Sequence, residues 1–227
     1  MSGPEAQEPL ALALDAATYV GTVAVVRGST VLAECEVAMR GERAERLMPA
    51  VAAALAQARV TVRELEAVVC GAGPGSFTSL RIAAAIAKGI AAARHVPLHA
   101  RSSLALLIAA AATPLPDGVY VPALDAMRGE VFAAVVTVAG GAIADEGPLH
   151  RMAERDLGPY ARRLGARVVG PGRELDLRPH ARGVTRDAVW RRGGGRVSLT
   201  DWEPDYGRLA EAQVQWEAAH GRPLRAL

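Results

Sequence analysis

Lysine is almost missing from this 227-residue chain: of its 26 basic residues 25 are arginine, and Lys88 is the sole lysine. A phosphate loop built on lysine or a Schiff-base mechanism therefore has one candidate, and Lys88 stands in the wrong place for either. Cysteine is scarce too. Cys35 and Cys70 lie far apart in apolar runs with no C-x-x-C or Cys/His cluster around them, which predicts buried structural thiols. Of the histidines at 95, 99, 150, 180 and 220, only His95 and His99 have metal-like spacing, and Pro97 keeps them off one helix face, so no metal is expected. No uncharged apolar run reaches the ~18 residues of a membrane span. Met1 to Pro9 carries Glu5 and Glu8 instead of a basic start, which argues against a secretory leader. A reduced, cytoplasmic protein without a membrane segment is expected, its first nine residues disordered.

What is abundant is alanine, with 47 residues, 22 of them between 43 and 112. The chain is 51% hydrophobic, and about 30% of it remains apolar once alanine is set aside, enough for a globular core with small side chains. The formal net charge of +2 argues against a general nucleic-acid binder but hides an asymmetry. Residues 1–100 carry nine basic and nine acidic groups, while residues 150–196 carry twelve arginines against five acids.

The periodicity predicts three successive strands at 10–14, 20–27 and 31–38, joined as antiparallel hairpins before any helix. A helix follows over 43–59, with Leu47, Val51 and Leu55 at helical spacing and Pro49 starting or kinking it. The run AVVC at 67–70 reads as a buried, parallel strand. After the turn GAGPGS at 71–76, a second helix runs from Thr78 to Arg94, with Ile82, Ile86 and Ile90 on one line and Ala83, Ala87 and Ala91 on the next. A strand at 97–100 and a serine-capped helix at 102–112 complete a first set. Strands at 119–125 and 130–138 then restart the pattern, followed by a helix at 151–164, a strand at 166–170, a flexible loop at 191–196 and a last helix at 206–219. The order of elements is partly duplicated.

Four constellations carry possible chemistry. Asp15 and Thr18 on the first turn could hold a metal-phosphate group, or could only bond the turn backbone. The Gly73 to Gly75 turn between a buried strand and a helix could present backbone donors to an anion, or could only let that helix approach the sheet. It fits neither the Walker loop, the G-x-S-x-G elbow nor the dinucleotide pattern. The alanine-lined helices could pack inside the molecule or against a protein partner. The arginines from Arg151 to Arg196 could touch RNA phosphates or form solvated surface.

The combination of LALDAAT (12–18), ERLMP (45–49), GAGPGSFTSLR (71–81) and LDAMRGEVF (124–132) resembles the TsaB family, with a looser match at EPDYGRLAE (203–211). That resemblance implies an actin-like, duplicated α/β fold of two lobes, each a mixed sheet flanked by helices. The first lobe would span 10–101 and the second 102–200, with 201–227 returning to the first as a C-terminal helix. It also implies a non-catalytic subunit of the complex that makes threonylcarbamoyladenosine beside the tRNA anticodon. Such a subunit would pair with a TsaD-like threonylcarbamoyltransferase, join a TsaE-like ATPase and meet tRNA through the complex; separately from the resemblance, a third reading is a self-associating homodimer with an unrelated binding role. ATP and metal would sit on the partners, leaving Asp15 and Thr18 as a vestigial nucleotide turn. Docking is expected through Leu47, Val51, Leu55, Leu80, Ala83, Ala84, Ala87 and Ala91. Ala16 stands where the family has threonine, Ser79 where it has glycine, and Arg43 and Ala44 where it has His-Ser. The rival reading is an actin-like ATPase or phosphotransferase using Asp15, Thr18 and the Gly73 to Gly75 turn.

Overall fold

The computed structural model describes residues 8–40, 45–187, 189–207 and 220. Its first lobe opens with three antiparallel strands, β1 (Leu10–Asp15), β2 (Val20–Arg27) and β3 (Thr30–Ala38). Helix α1 (Leu47–Ala58) leads to β4 (Ala67–Gly71), which pairs in parallel with β1. Helix α2 (Phe77–Arg94) then leads to β5 (Leu98–Arg101), parallel to β4. β4 is buried along its whole length between two neighbours, which is why its sequence runs apolar without alternation.

The second lobe repeats this order. After α3 (Ser103–Ala109), the strand β6 (Gly118–Met127) pairs antiparallel with β7 (Glu130–Ala133) and then with β8 (Val136–Ala139). The register is unbroken from Leu124 opposite Phe132 to Gly118 opposite Val138, so β7 and β8 are one strand interrupted near Ala134. β9 (Ala142–Glu146) and β10 (His150–Ala153) pair with β8 and β7 and follow one another along them, with register shifts on the way. Helix α4 (Glu154–Arg163) returns the chain to β11 (Arg167–Val169), parallel to β6. The arrangement β11, β6, β7/β8, β9/β10 thus reproduces β4, β1, β2, β3: the duplicated, actin-like α/β fold is present as two mixed sheets flanked by helices.

Alternation along β1 explains the core of the first lobe. Leu10, Leu12 and Leu14 face Leu47, Val51, Ala83 and Ala87 of α1 and α2. Ala11 and Ala13 face the opposite way, onto Ala181, Val184 and Trp190. Those last residues lie in two short 3-10 turns, Ala181–Thr185 and Trp190–Arg192, that cover the far face of the first sheet. The chain then adds β12 (Arg196–Val197) against β5.

Residues 181–197 therefore belong to the first lobe, not to the second as expected, and the 191–196 segment contains a 3-10 turn and a strand rather than only a loop. Gly183 is required here, because a side chain would strike the Leu106 carbonyl. Helix α3 starts at its serine cap, with Ser102 Oγ accepting from Leu104 N at 3.2 Å and Ala105 N at 3.3 Å. It ends at Ala109, sooner than expected, and its Leu104 and Leu107 pack into the second core while Leu106 packs into the first lobe. Residues 150–153 pair as a strand, so α4 is shorter than predicted. Cys70 is buried and Cys35 half-buried, both free. The expected helix at 206–219 lies, apart from Tyr206 and Gly207, outside the described residues, as does most of the N-terminus, although Pro9 O already accepts from Gly28 N at 3.1 Å. Among the described residues no helix is long and apolar enough to cross a membrane.

Candidate functional site

Asp15 ends β1 with its carboxylate entirely buried. Its Oδ2 accepts from Ser103 Oγ at 2.5 Å and its Oδ1 from Ala17 N at 3.0 Å. Burial raises its pKa to about 6 against the lowering effect of those two donors. Burial, helped by this same carboxylate, pushes the neighbouring Cys70 thiol far up. Thr18 Oγ1 bonds Val20, accepting from its N–H and donating to its carbonyl, both at 3.2 Å. Both residues thus bond locally, and Asp15 points into the protein.

The glycine turn is closed in the same way. Gly73 N donates to Ser103 Oγ at 3.2 Å, and Ser76 N to Ala17 O at 2.7 Å. Ser103 N and Asp205 N in turn donate to Gly73 O at 2.8 Å and Ala72 O at 2.7 Å. A Cβ at Gly71 would overlap the Asp15 carboxylate, and one at Gly75, whose φ is +158°, the Ala17 carbonyl. These glycines serve close backbone approach within the molecule.

The docking residues expected from sequence need correction. Leu47, Val51, Leu80, Ala83, Ala84, Ala87 and Ala91 are buried and Leu55 half-buried. Most of them form the first-lobe core, and Leu80 joins the second. The larger aliphatics chosen by their spacing mark the inward stripe, as they do on an ordinary amphipathic helix. What the two helices leave outside is mostly small, with Ala52, Ala53 and Ala56 beside Met48, Pro49 and Gln57 on α1, and Ala85, Gly89, Ala92 and Ala93 beside Thr78 and Arg81 on α2. Met48 is 46% exposed, and nothing lies within 4 Å of a Cβ built on Gly89.

The arginine-rich segment is divided: Arg155, Arg162, Arg163, Arg192 and Arg196 are exposed, while others bond within the molecule. Arg186 donates to the carbonyls of Ala109, Ala111 and Ala112 at the end of α3, and Arg182 Nε to Ala110 O at 3.1 Å. Arg101 pairs with Asp187, whose carboxylate is buried. Arg191 donates to Thr185 O at 2.9 Å. Arg182 and Arg186 thus tie this segment to the end of α3, Asp187 ties it to Arg101 of β5, and Arg191 braces it on itself. His95 and His99 are apart: His95 caps α2 and is exposed, while His99 is buried on β5 with Nδ1 2.8 Å from Gly194 O. Among the described residues no group of three His, Cys, Asp or Glu gathers at a metal-binding distance.

Between the lobes lies a cleft of about 450 Å³. Its walls come from the β1–β2 turn, the start of α2 and the β6–β7 hairpin, and include Tyr19, Phe77, Leu124 and Phe132 together with Arg40, Arg173 and Arg178. The Arg40 guanidinium lies over the Tyr19 ring, 3.4 Å from its centroid.

A family model described as TsaD, tRNA N6-adenosine threonylcarbamoyltransferase, matches residues 36–162, more than half of the chain. The tRNA threonylcarbamoyladenosine biosynthesis protein TsaB of Bacillus subtilis (strain 168) is 28% identical over 226 residues, covering 90% of this chain and 96% of that protein. The chain belongs to the TsaB family. The TsaB protein of Escherichia coli (strain K12) is 34% identical over 121 residues, 53% of this chain and 52% of that one. A solved structure of an uncharacterized Pseudomonas aeruginosa protein with similarity to the peptidase YEAZ superposes with a TM-score of 0.75 at 28% identity, covering 88% of this chain and all of that one. YeaZ from the same organism gives 0.71 at 27% identity, covering 87% of this chain and 99% of that one.

In this TsaB-family chain the segment matched by the family model begins in β3 and ends in α4. It includes α1, α2, the glycine turn and much of the cleft, and it stops short of residues 181–197. Sequence reading had singled out Asp15 and the glycine turn but missed Ser103, which binds both, because 88 residues separate Ser103 from Asp15. The cleft arginines were missed as a group for the same reason: Arg40 comes from the first lobe and Arg173 and Arg178 from beyond β11.

Proposed function

We propose that this protein serves the threonylcarbamoyladenosine modification of tRNA as a non-catalytic subunit paired with a TsaD-like threonylcarbamoyltransferase. The observation that carries the reading is similarity along nearly the full length of the Bacillus subtilis TsaB protein. The geometry adds support. The carboxylate that an actin-like phosphotransferase would turn toward nucleotide is bonded to Ser103, and the glycine turn spends Gly73 N and Ser76 N on Ser103 Oγ and Ala17 O. A subunit of this kind needs no cofactor of its own, and ATP and metal belong on TsaD-like and TsaE-like partners. Its tRNA contact is through the complex, in the cytoplasm.

The docking surface we propose is the outward face of α1 and α2, centred on Met48, Ala52, Ala85 and Gly89. Small side chains there let a partner helix approach toward the lower end of the usual ~8–10 Å. A second copy of this chain would compete for the same face, so pairing with itself and with a TsaD-like subunit would be mutually exclusive. Reconstituting the tRNA modification with and without this chain tests the role. Product formation is expected to collapse on omission, and full activity without the chain would refute the role. Calorimetry of the isolated chain with Mg-ATP tests the ATPase alternative, which requires saturable binding abolished by Asp15→Ala.

A further inference from the structure

The interlobe cleft has a composition that the subunit role does not use. Its volume of about 450 Å³ lies in the range of small-molecule sites. Its floor is apolar, with Leu124 and Phe132, and its mouth holds two of the molecule's exposed large apolar side chains, Tyr19 at 38% and Met127 at 42%. Tyr19 Oη lies 3.8 Å from Met127 Sδ, so the two form one edge reaching from the first lobe to the second.

The polar groups of the cleft are unevenly matched. Asp125 is the one carboxylate among the described lining residues, and its Oδ1 accepts from Met127 N at 2.7 Å. Three guanidinium groups face it. Arg173 gives both terminal nitrogens to Glu154 outside the cleft, while its buried Nε finds no acceptor among the described residues. Arg178 and Arg40 are exposed, and Arg40 stacks on the Tyr19 ring. A guanidinium stacked on a ring keeps its in-plane donors for an anion.

Asp15, the other carboxylate of this region, is buried on Ser103 and is not among the cleft's lining residues. The cleft therefore offers guanidinium groups and no pair of carboxylates. Such a lining balances a ligand's negative charge by itself, without a bridging divalent cation.

We propose that the interlobe cleft binds a small organic anion, a phosphate ester or carboxylate on a flat apolar body. Arg40 and Arg178 hold the anionic head, and Tyr19, Met127 and Phe132 cover the body. This site is independent of the pairing surface on α1 and α2. It also differs from a Mg-nucleotide site in needing no metal.

Phenyl phosphate and benzoate are the probes, titrated into the full chain by calorimetry with and without Mg²⁺, with phenol and inorganic phosphate as single-feature controls. Saturable binding of phenyl phosphate, benzoate or both is expected, unchanged by Mg²⁺, and which of them binds identifies the head group. Arg40→Ala/Arg178→Ala should weaken binding at least about tenfold. Arg192→Ala/Arg196→Ala, which removes two exposed arginines outside the cleft, should leave it unaltered. Melting followed by circular dichroism confirms that both variants are folded. The proposal is overturned if neither probe saturates, if phenol binds as well as they do, or if the two double variants behave alike.

Discussion

Asp15 is the residue where sequence and environment disagree most. From the sequence it could hold a metal-phosphate group or only bond the turn backbone, and it sits fully buried with its pKa raised to about 6 from 3.8. Because the folded-state value is raised, the folded protein binds the proton more tightly than the unfolded chain. This group's contribution to stability is then greatest below pH ~4, is lost as pH rises through 6, and is flat above. A shift of about two units corresponds to roughly 3 kcal/mol at most. Asp15→Asn keeps an acceptor for Ala17 N while removing the charge. Urea midpoints compared between pH 4.5 and 7.5 should show wild type losing stability relative to the variant across that interval. Parallel curves would mean that Asp15 is ionised without penalty in the fold.

Glycine makes the same point with opposite signs at two positions. Gly71→Ala drives a methyl into the Asp15 carboxylate and should cost about 1–3 kcal/mol. Gly89→Ala meets nothing within 4 Å in the middle of α2 and should add about 0.5–1 kcal/mol of stability through helix propensity. Thermal melts of the two variants read both effects. The sequence displays two glycines; only the packing around each gives the sign.

Helices α1 and α2 were legible as elements and misread as surfaces. Leu47, Val51, Ala83 and Ala87 recur at helical spacing because that stripe faces β1, and the regularity marking it in the letters is the signature of burial. Ala87→Arg is accordingly expected to prevent folding, since it places an unpaired charge at a position with no exposed surface. Ala85→Arg, on the exposed side of the same helix, should leave the circular dichroism spectrum unchanged and the stability within about 0.5 kcal/mol of wild type. It should nevertheless abolish copurification with a TsaD-like subunit. A folded Ala85→Arg chain that still copurifies at full yield would move the docking surface elsewhere.

At the scale of the whole molecule, the two lobes are joined by more than the stretch between β5 and β6. The chain leaves β11 in the second lobe and returns to cover the far face of the first sheet. Arg101 and Asp187 pin that return, and Asp187 is only 1% exposed. Arg101→Ala would strand the buried carboxylate and should cost about 3–5 kcal/mol. Arg186→Ala would free the three carbonyls at the end of α3 and should cost about 1–3 kcal/mol. Both should speed proteolysis within 181–197 before the remainder of the chain is cut, and equal protection in wild type and variants would refute this attachment.

Local pattern was enough for β1 to β5, for β6 with β7/β8, for β11, the two long helices, the serine cap of α3 and the glycine turn, because each depends on neighbours within a few residues, but it did not show β9, β10 or β12. A partial repetition, two strands followed by a helix and a strand, was visible in the same way, and the third strand emerged only from the sheet pairing. Tertiary structure alone decided which face of α1 and α2 is outside and that Ser103 closes the turn over Asp15. It alone decided that 181–197 returns to the first lobe and that Arg40, Arg173 and Arg178 meet across one cleft. Each of these joins residues tens to more than a hundred positions apart. Burial, unlike periodicity, is a property of what the rest of the chain brings alongside.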